Sequence, residues 1–212
     1  MSEDVVGEVR GEAKSYFNSV DPSHDWLHVK RVENLSDKIA EKEDVDQKVV
    51  KLAALLHDIG REKESKGEIE DHSSWGAKKS KEILRSYGFK EELLEKVAHC
   101  VNSHRYSTGP EPETREAKVL CDADNLDAIG AVGVARTFSV GGEMGNPLAD
   151  PDTPIEQDQT STGENSLNHF YKKILNLKER MYTESGKEIA EERHDFTEEF
   201  VNRMEEEIRG NK

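Results

Sequence analysis

The sequence has little of what membrane spans, disulfide frameworks and nucleic-acid interfaces require. It contains two cysteines and 6% aromatic residues, and its longest apolar runs, such as residues 52–56, are only four or five residues long. A membrane-spanning helix needs about 20 apolar residues. Asp and Glu outnumber Lys and Arg by 45 to 30, a net charge of -15, which argues against a nucleic-acid duplex as partner. We expect a cytoplasmic protein with no membrane span and two buried thiols.

The spacing of the apolar residues predicts an all-α fold. Apolar side chains recur at helical intervals, and no segment shows the alternation that is typical of a strand. We predict one domain over residues 1–212, a helical bundle of about seven or eight helices. The predicted helices are approximately 3–20, 28–39, 46–60, 73–86, 93–104, 113–137, 167–182 and 188–208.

A segment without basic residues precedes the predicted C-terminal helices, which occupy about 166–209. From residue 137 to residue 171 the chain has six acidic residues and no Lys or Arg. Glycine and proline interrupt any helical periodicity there, as in Gly145-Asn146-Pro147. Loops of this length are typically functional lids or disordered segments. We therefore predict a long, mobile acidic loop over about 139–165.

The most unusual polar residues are His57 and Asp58, which follow the apolar run 52–56. A carboxylate at that position faces the partial negative charge of a helix C-terminus and a desolvation cost of several kcal/mol if it is buried unpaired. A bound cation would relieve both. The alternative is an Asp exposed at the turn before Gly60, with a half-buried His.

Two other polar elements lie on apolar helical faces. His28 falls on the apolar stripe of the second predicted helix, where a lone histidine is more often a core residue than a ligand. Asp122, Asp124 and Asp127 lie within an apolar segment, so at least one is buried, and the pattern leaves open which one. Two imidazoles and two carboxylates suit one divalent ion: Mn²⁺, Fe²⁺, Co²⁺, Ni²⁺ or Zn²⁺, with Mg²⁺ as a further candidate.

The pattern formed by His28, the pair His57-Asp58 and an aspartate of the 122–127 cluster resembles the HD superfamily of metal-dependent phosphohydrolases. The closing aspartate of that family maps best onto Asp124, with Asp122 the alternative. The runs AALLHDI (53–59) and DADNLDAIGAVGVAR (122–136) look like a bacterial and archaeal subgroup of small, stand-alone HD hydrolases. The resemblance covers nearly the whole chain and implies a single all-α domain. The metal ligands that it implies are His28, His57, Asp58 and Asp124.

The sequence lacks the motifs of two branches of the superfamily, which narrows the class of hydrolase that the resemblance implies. The alarmone hydrolases of the superfamily follow their His-Asp pair with an acidic pair, where this chain has Arg61-Glu62. Its cyclic-dinucleotide phosphodiesterases carry a Gly-Tyr-Pro motif after a second His pair, and this sequence lacks that motif. His72 and His104 stand roughly where binuclear members place extra ligands. A second metal is therefore not excluded, although substrate contact or a helix-end hydrogen bond is the preferred interpretation.

A mechanism can be assigned to the same residues as a hypothesis. A metal held by Asp58 and its partners would activate water and polarise a phosphoryl oxygen, while Asp127 or Glu62 would accept the proton of that water. Arg31 would reach a phosphate oxygen, unless it pairs with Asp58 or Asp122. The predicted substrate contacts are His72, His104, Arg105 and Lys173, with Arg61, Lys79 and Lys172 as further cationic candidates. His24-Asp25 and His194-Asp195 repeat the dipeptide in polar surroundings and are interpreted as unrelated to the site.

The resemblance implies hydrolysis of a phosphate ester or anhydride in a small metabolite, most specifically of a nucleoside triphosphate to a monophosphate and pyrophosphate. One alternative is a phosphomonoesterase or phosphodiesterase that acts on another phosphate ester. A second alternative is a nucleotide-binding sensor that keeps the metal site without turnover.

Overall fold

The computed structural model describes residues 3–18, 23–105, 109–150, 155, 157–160 and 162–212. In these residues all regular structure is helical, which confirms the predicted all-α class. No helix in the same ranges is both long and apolar enough to cross a membrane. The α-helices are α1 (Glu3–Lys14), α2 (Trp26–Ala40), α3 (Gln47–Leu56), α4 (Arg61–Ser65), α5 (His72–Ser86), α6 (Glu91–Ser103), α7 (Arg115–Leu126), α8 (Gly130–Met144), α9 (Ser166–Lys172) and α10 (Glu184–Ile208).

The chain forms two compact units, Met1–Asp124 and Asn125–Lys212. In the first unit α5 packs against α6, α2 packs against α3, and α3 also packs against α6 and α1. In the second unit α8 packs against α10 and α9. The boundary falls within α7. That the two units act as one domain stays a prediction.

Helix α3 is the buried helix of the first unit. Asp46 begins it by accepting hydrogen bonds from the backbone N–H groups of Lys48 and Val49, at 3.0 and 3.3 Å. Seven of its ten residues are buried, and each buried leucine contributes about 1.5–3 kcal/mol relative to an exposed one. Because α3 ends at Leu56, His57 and Asp58 follow inside the core.

The caps of two other helices of the first unit, α2 and α5, also fix polar residues at their beginnings. Asp25 accepts from the backbone N–H of His28 at 2.9 Å and so begins α2. Asp71 accepts from the backbone N–H groups of Ser73 and Ser74 and makes His72 the first residue of α5. Both histidines are therefore held in ordered first turns.

The predicted helix 113–137 is wrong as one element, because the chain turns between α7 and α8. Gly130 has φ +75°, a conformation that glycine adopts without steric cost. Its N–H donates to Thr197 Oγ1 at 2.8 Å, and a Cβ at this position would lie 3.1 Å from Arg193 Cγ. The apolar residues continue through the turn, so their periodicity does not reveal it.

Other boundaries also differ from the predictions. The described residues form ten α-helices where the sequence predicts eight. The two additional helices are the short α4 and the one that results from the division of 113–137 into α7 and α8. Helix α1 ends at Lys14 rather than near residue 20, and residues 19–22 lie outside the described ones. The predicted helix 167–182 is α9 followed by two short 3₁₀ helices, Ile174–Asn176 and Lys178–Arg180.

The predicted loop over 139–165 begins later than expected, because α8 continues to Met144. Residues 151–154, 156 and 161 of this segment lie outside the described ones. In the described part, the buried Asp158 carboxylate accepts hydrogen bonds from the Thr160 hydroxyl, the backbone N–H of Glu164 and the side-chain amide of Asn168. These bonds, that of Thr160 foremost, hold the pKa of Asp158 below its usual range. The Asp158 carboxylate therefore stabilises the conformation of the loop and is not a solvent-exposed surface charge.

The two cysteines are buried free thiols, as predicted. Burial raises the pKa of Cys100 to about 12 and also raises the pKa of Cys121. Both side chains are therefore protonated at neutral pH, which makes them poor nucleophiles and poor metal ligands.

Candidate metal centre

The carboxylate of Asp58 lies between two pairs of histidines in the first unit. Its Oδ2 atom is 3.6 Å from the Nε2 atoms of both His28 and His57. Its Oδ1 atom is 3.4 Å from His72 Nε2 and 3.3 Å from His104 Nε2. Asp58 is 1% exposed, and all four histidines are buried. The alternative of an exposed capping Asp is therefore wrong.

The four predicted metal ligands converge around Asp58 Oδ2. The Nε2 atoms of His28 and His57 are 3.3 Å apart, and Asp124 Oδ1 lies 3.4 Å from His28 Nε2. Among the described residues, Asp58 Oδ2 is a buried oxygen with no hydrogen-bond partner. A buried carboxylate oxygen that is left unpaired is costly. The donor set of two imidazoles and two carboxylates fits a divalent ion that would satisfy it.

The other ring nitrogens show which histidine nitrogens can bind a metal. The Nδ1 atoms of His57 and His104 lie 2.8 and 2.6 Å from backbone carbonyl oxygens three residues earlier. The Nδ1 atom of His72 lies 2.8 Å from Glu64 Oε2. Carbonyl and carboxylate oxygens only accept, so each Nδ1 carries the proton. Each Nε2 is then the unprotonated nitrogen and lies 3.3–3.6 Å from an oxygen of Asp58. A protonated Nδ1 held by an acceptor is typical of metal-binding histidines.

The electrostatics of the first unit favour neutral rings at His57 and His72 and charged carboxylates at Asp58 and Asp124. Burial lowers the pKa of His57 and that of His72 to about 4. Burial opposes ionisation of Asp58, but the positive charge of the adjacent Arg61 guanidinium outweighs it and holds the pKa of Asp58 well below its usual range. Burial also opposes ionisation of Asp124, but the interaction with His28 lowers its pKa. These are the protonation states that metal binding requires.

The second pair of histidines adjoins a network of acidic and basic side chains. Arg61 Nε donates to Asp58 Oδ1 at 2.9 Å. Arg105 Nη1 donates to both Glu64 Oε1 and Asp71 Oδ1, at 2.8 and 2.7 Å. The two carboxylates beside His72 thus already share the guanidinium of Arg105. The predicted substrate contact Arg105 is part of this network.

Three further predicted residues belong to the first unit, on α2, α4 and α7. Arg31 is half-buried on α2, one turn after His28, and it is Arg61 whose ion pair with Asp58 the structure shows. Glu62 lies on α4 and pairs with Lys66. Asp122 is completely buried, and the contact with His28 belongs to Asp124.

Two predicted residues belong to the second unit. Asp127 is buried, and its Oδ2 accepts from Arg136 Nη1 at 2.8 Å. Lys173 follows the last residue of α9. The proton-acceptor role of Asp127 and the substrate contact of Lys173 both stay predictions.

The dipeptide His24-Asp25, which the sequence analysis interprets as unrelated to the site, contacts the candidate ligand His28. The ring centroid of His24 lies 5.7 Å from that of His28, and Asp25 caps the helix that carries His28. Asp25 stands three residues before His28, the spacing at which an N-cap aspartate accepts from a backbone N–H of the first turn. This spacing is the sequence signal that predicts the cap. The other missed residue is Glu64, whose contact with His72 joins two helices and has no signature in the local sequence.

Gly60 is required where the turn after Asp58 approaches α5. A Cβ at residue 60 would lie 2.7 Å from the backbone oxygen of His72 and 2.9 Å from its Cα. We expect Gly60→Ala to move His72 away from Asp58, because neither backbone atom can rotate aside. The variant should lose about 1–3 kcal/mol of unfolding free energy, measured by urea denaturation. Gly7→Ala is the control, since a Cβ there meets nothing within 4 Å; equal stability of the two variants would contradict the prediction.

The protein-family model described as HD domain matches residues 26–129. That range contains His28, His57, Asp58 and Asp124. Over 96% of its length the chain is 34% identical to the uncharacterized protein YpgQ of Bacillus subtilis, and the match covers 93% of that protein. The chain therefore belongs to the HD-domain family, which confirms the resemblance seen in the sequence.

Two crystal structures show how far the likeness extends. The structure of Bacillus subtilis YpgQ in complex with ADP is 32% identical, with a TM-score of 0.77, and the match covers 96% of this chain and 95% of that one. A protein described as an HD-superfamily hydrolase from Bacillus thuringiensis is 32% identical, with a TM-score of 0.78 and 98% coverage of both chains. Both likenesses extend beyond the HD segment to nearly the whole chain.

Proposed function

We propose that this protein is a metal-dependent phosphohydrolase that converts a nucleoside triphosphate to a monophosphate and pyrophosphate. The observation that carries the proposal is the buried Asp58 carboxylate, each oxygen of which faces the Nε2 atoms of two histidines. Membership of the HD family supports hydrolysis. The complex of the relative YpgQ with ADP supports a nucleotide as ligand.

His28, His57, Asp58 and Asp124 would hold the first ion. A divalent ion bound there supplies Lewis-acid chemistry, since it lowers the pKa of bound water and polarises a phosphoryl oxygen. The Asp124 side chain is 22% exposed, whereas those of the other three ligands are at most 1% exposed. The side of Asp124 is thus the open side of the set, on which we place the phosphate.

His72 and His104 are better suited to a second ion than to the substrate contacts first predicted. Their Nε2 atoms are 3.3 Å apart, and with Asp58 Oδ1 they form a compact set of three potential ligand atoms. In both rings Nδ1 is already committed to an acceptor. A second ion held there would add to the stabilisation of the attacking and leaving oxygens, as in two-metal phosphatases.

The chain's own side chains would bind phosphate and receive the proton. Of the two predicted proton acceptors, we favour Glu62, because it belongs to the same unit as Asp58 and its partner Lys66 is exposed enough to move. Arg31, which belongs to the same unit, is a candidate for contacts with phosphate oxygens, which a cationic side chain would neutralise and position.

Product analysis over a panel of nucleoside tri-, di- and monophosphates tests this proposal. The metal-free protein is assayed with Mn²⁺, Co²⁺ or Mg²⁺, and products are separated by anion-exchange chromatography, with a chelator control. We expect triphosphates to yield a monophosphate and pyrophosphate only when metal is present. Orthophosphate as the sole product would indicate another phosphoesterase, and nucleotide binding without turnover would indicate a sensor. Either result would overturn the proposal.

A further inference from the structure

The two sides of Asp58 differ in charge. On the Oδ2 side, His28 and His57 share the space with a second carboxylate, that of Asp124. On the Oδ1 side, the set of His72, His104 and Asp58 contains no carboxylate besides Asp58 itself. A divalent ion on the Oδ1 side would therefore have one carboxylate ligand, that of Asp58. An ion on the Oδ2 side would have two, those of Asp58 and Asp124.

A guanidinium already occupies part of the Oδ1 side. Arg61 Nε donates to Asp58 Oδ1 at 2.9 Å, and that same oxygen lies 3.4 and 3.3 Å from His72 and His104. Arg61 Nη1 lies 3.6 Å from Glu64 Oε2, the oxygen that holds His72 Nδ1. The Arg61 side chain is therefore tied at two points, beside the nitrogens that would bind the second ion.

We propose that Arg61 is a built-in competitor of the second divalent ion, so that the two positions of the cluster fill in sequence. This inference rests on the metal centre of the proposed function. Arg61 donates to the Asp58 oxygen that faces the second position, and its positive charge repels an incoming dication at short range in a poorly solvated site. The first ion would be held by the set that includes Asp58 Oδ2, an oxygen to which Arg61 donates no hydrogen bond in the described structure.

This arrangement would make the number of bound ions depend on metal concentration. At low concentration the protein would hold one ion in the set of His28, His57, Asp58 and Asp124. At higher concentration a second ion would displace the Arg61 guanidinium from Asp58 Oδ1. Glu64 remains beside Arg61 as an alternative partner, since it lies one turn further along α4.

Calorimetric titration of the metal-free protein with Mn²⁺ tests the inference through binding rather than activity. We expect two steps in the wild type, with the second at least about tenfold weaker. Arg61→Gln removes the charge while keeping a hydrogen-bonding side chain, and it should tighten the second step by about tenfold while changing the first step less. Arg61→Lys keeps the charge and should leave the two steps well separated. His104→Ala should lose the second step alone, which assigns it.

The controls separate this inference from the proposed function. Arg85→Ala removes an exposed arginine that pairs with Glu91, and it should titrate like the wild type. Circular dichroism melts verify that each variant is folded. If the wild type binds Mn²⁺ at the first position but Arg61→Gln leaves the second step unchanged, only the role of Arg61 is overturned. If the wild type binds no Mn²⁺, the proposed metal centre fails as well.

Discussion

Replacing Asp58 by alanine is expected to abolish divalent-metal binding and nucleotide hydrolysis together. Its two carboxylate oxygens face both pairs of histidines, so the substitution removes the one group that both candidate positions share. We expect the rate of triphosphate hydrolysis to fall by at least about 10³-fold, since activation of water and stabilisation of phosphoryl charge are both lost. Mn²⁺ titration and initial rates measure the two effects separately.

The controls for this prediction separate chemistry from folding. Asp58→Asn keeps the size of the side chain but loses its charge, and it should lose metal binding while remaining folded. Asp37→Ala removes a half-exposed carboxylate that pairs with Lys51, and it should leave binding and rate unchanged. Retention of either metal binding or hydrolysis in Asp58→Ala would contradict the assignment of Asp58.

Replacing Asp127 by alanine is expected to destabilise the second unit strongly. The Asp127 carboxylate is 1% exposed and accepts from Arg136 Nη1 at 2.8 Å. Removal of one partner of a buried ion pair leaves the other charge without compensation, which costs about 3–5 kcal/mol. Urea denaturation measures this loss of unfolding free energy. The folded fraction of the variant should bind Mn²⁺ as tightly as the wild type does.

An exposed ion pair provides the matched control for Asp127. Glu184 pairs with Lys187 at the surface of α10, and Glu184→Ala should cost no more than about 1 kcal/mol. The alternative role, proton acceptor for the attacking water, predicts a different outcome. An Asp127→Ala variant with wild-type stability and no activity would restore that role and contradict the structural one.

The sequence indicates the first candidate metal position better than the second, because the signals for the first lie within single helices and those for the second do not. His28 on an apolar stripe and His57-Asp58 after an apolar run are anomalies within single helices, where the helical period makes them visible. The contacts of His72 with Glu64, and of His104 with Asp58, join residues from different elements. Periodicity carries no information about such contacts, so the sequence alone favours the interpretation of these histidines as substrate contacts.

The fold was predictable as a class but not at its turns. The apolar pattern marks α2, α3, α5 and α6 because each buries one stripe or nearly its whole surface. The turn at Gly130 and the short α4 depend on a glycine with positive φ and on packing against distant residues. Apolar residues continue on both sides of Gly130, so the pattern there predicts one helix where two form.

The most direct test of the metal centre is anomalous diffraction at the manganese edge from crystals grown with Mn²⁺. The account predicts an anomalous peak at coordination distance from His28 Nε2, His57 Nε2, Asp58 Oδ2 and Asp124 Oδ1. A second, weaker peak should lie between His72 and His104 at high Mn²⁺ concentration. An empty first position in Mn²⁺-saturated crystals, or a peak that does not touch Asp58, would contradict the account.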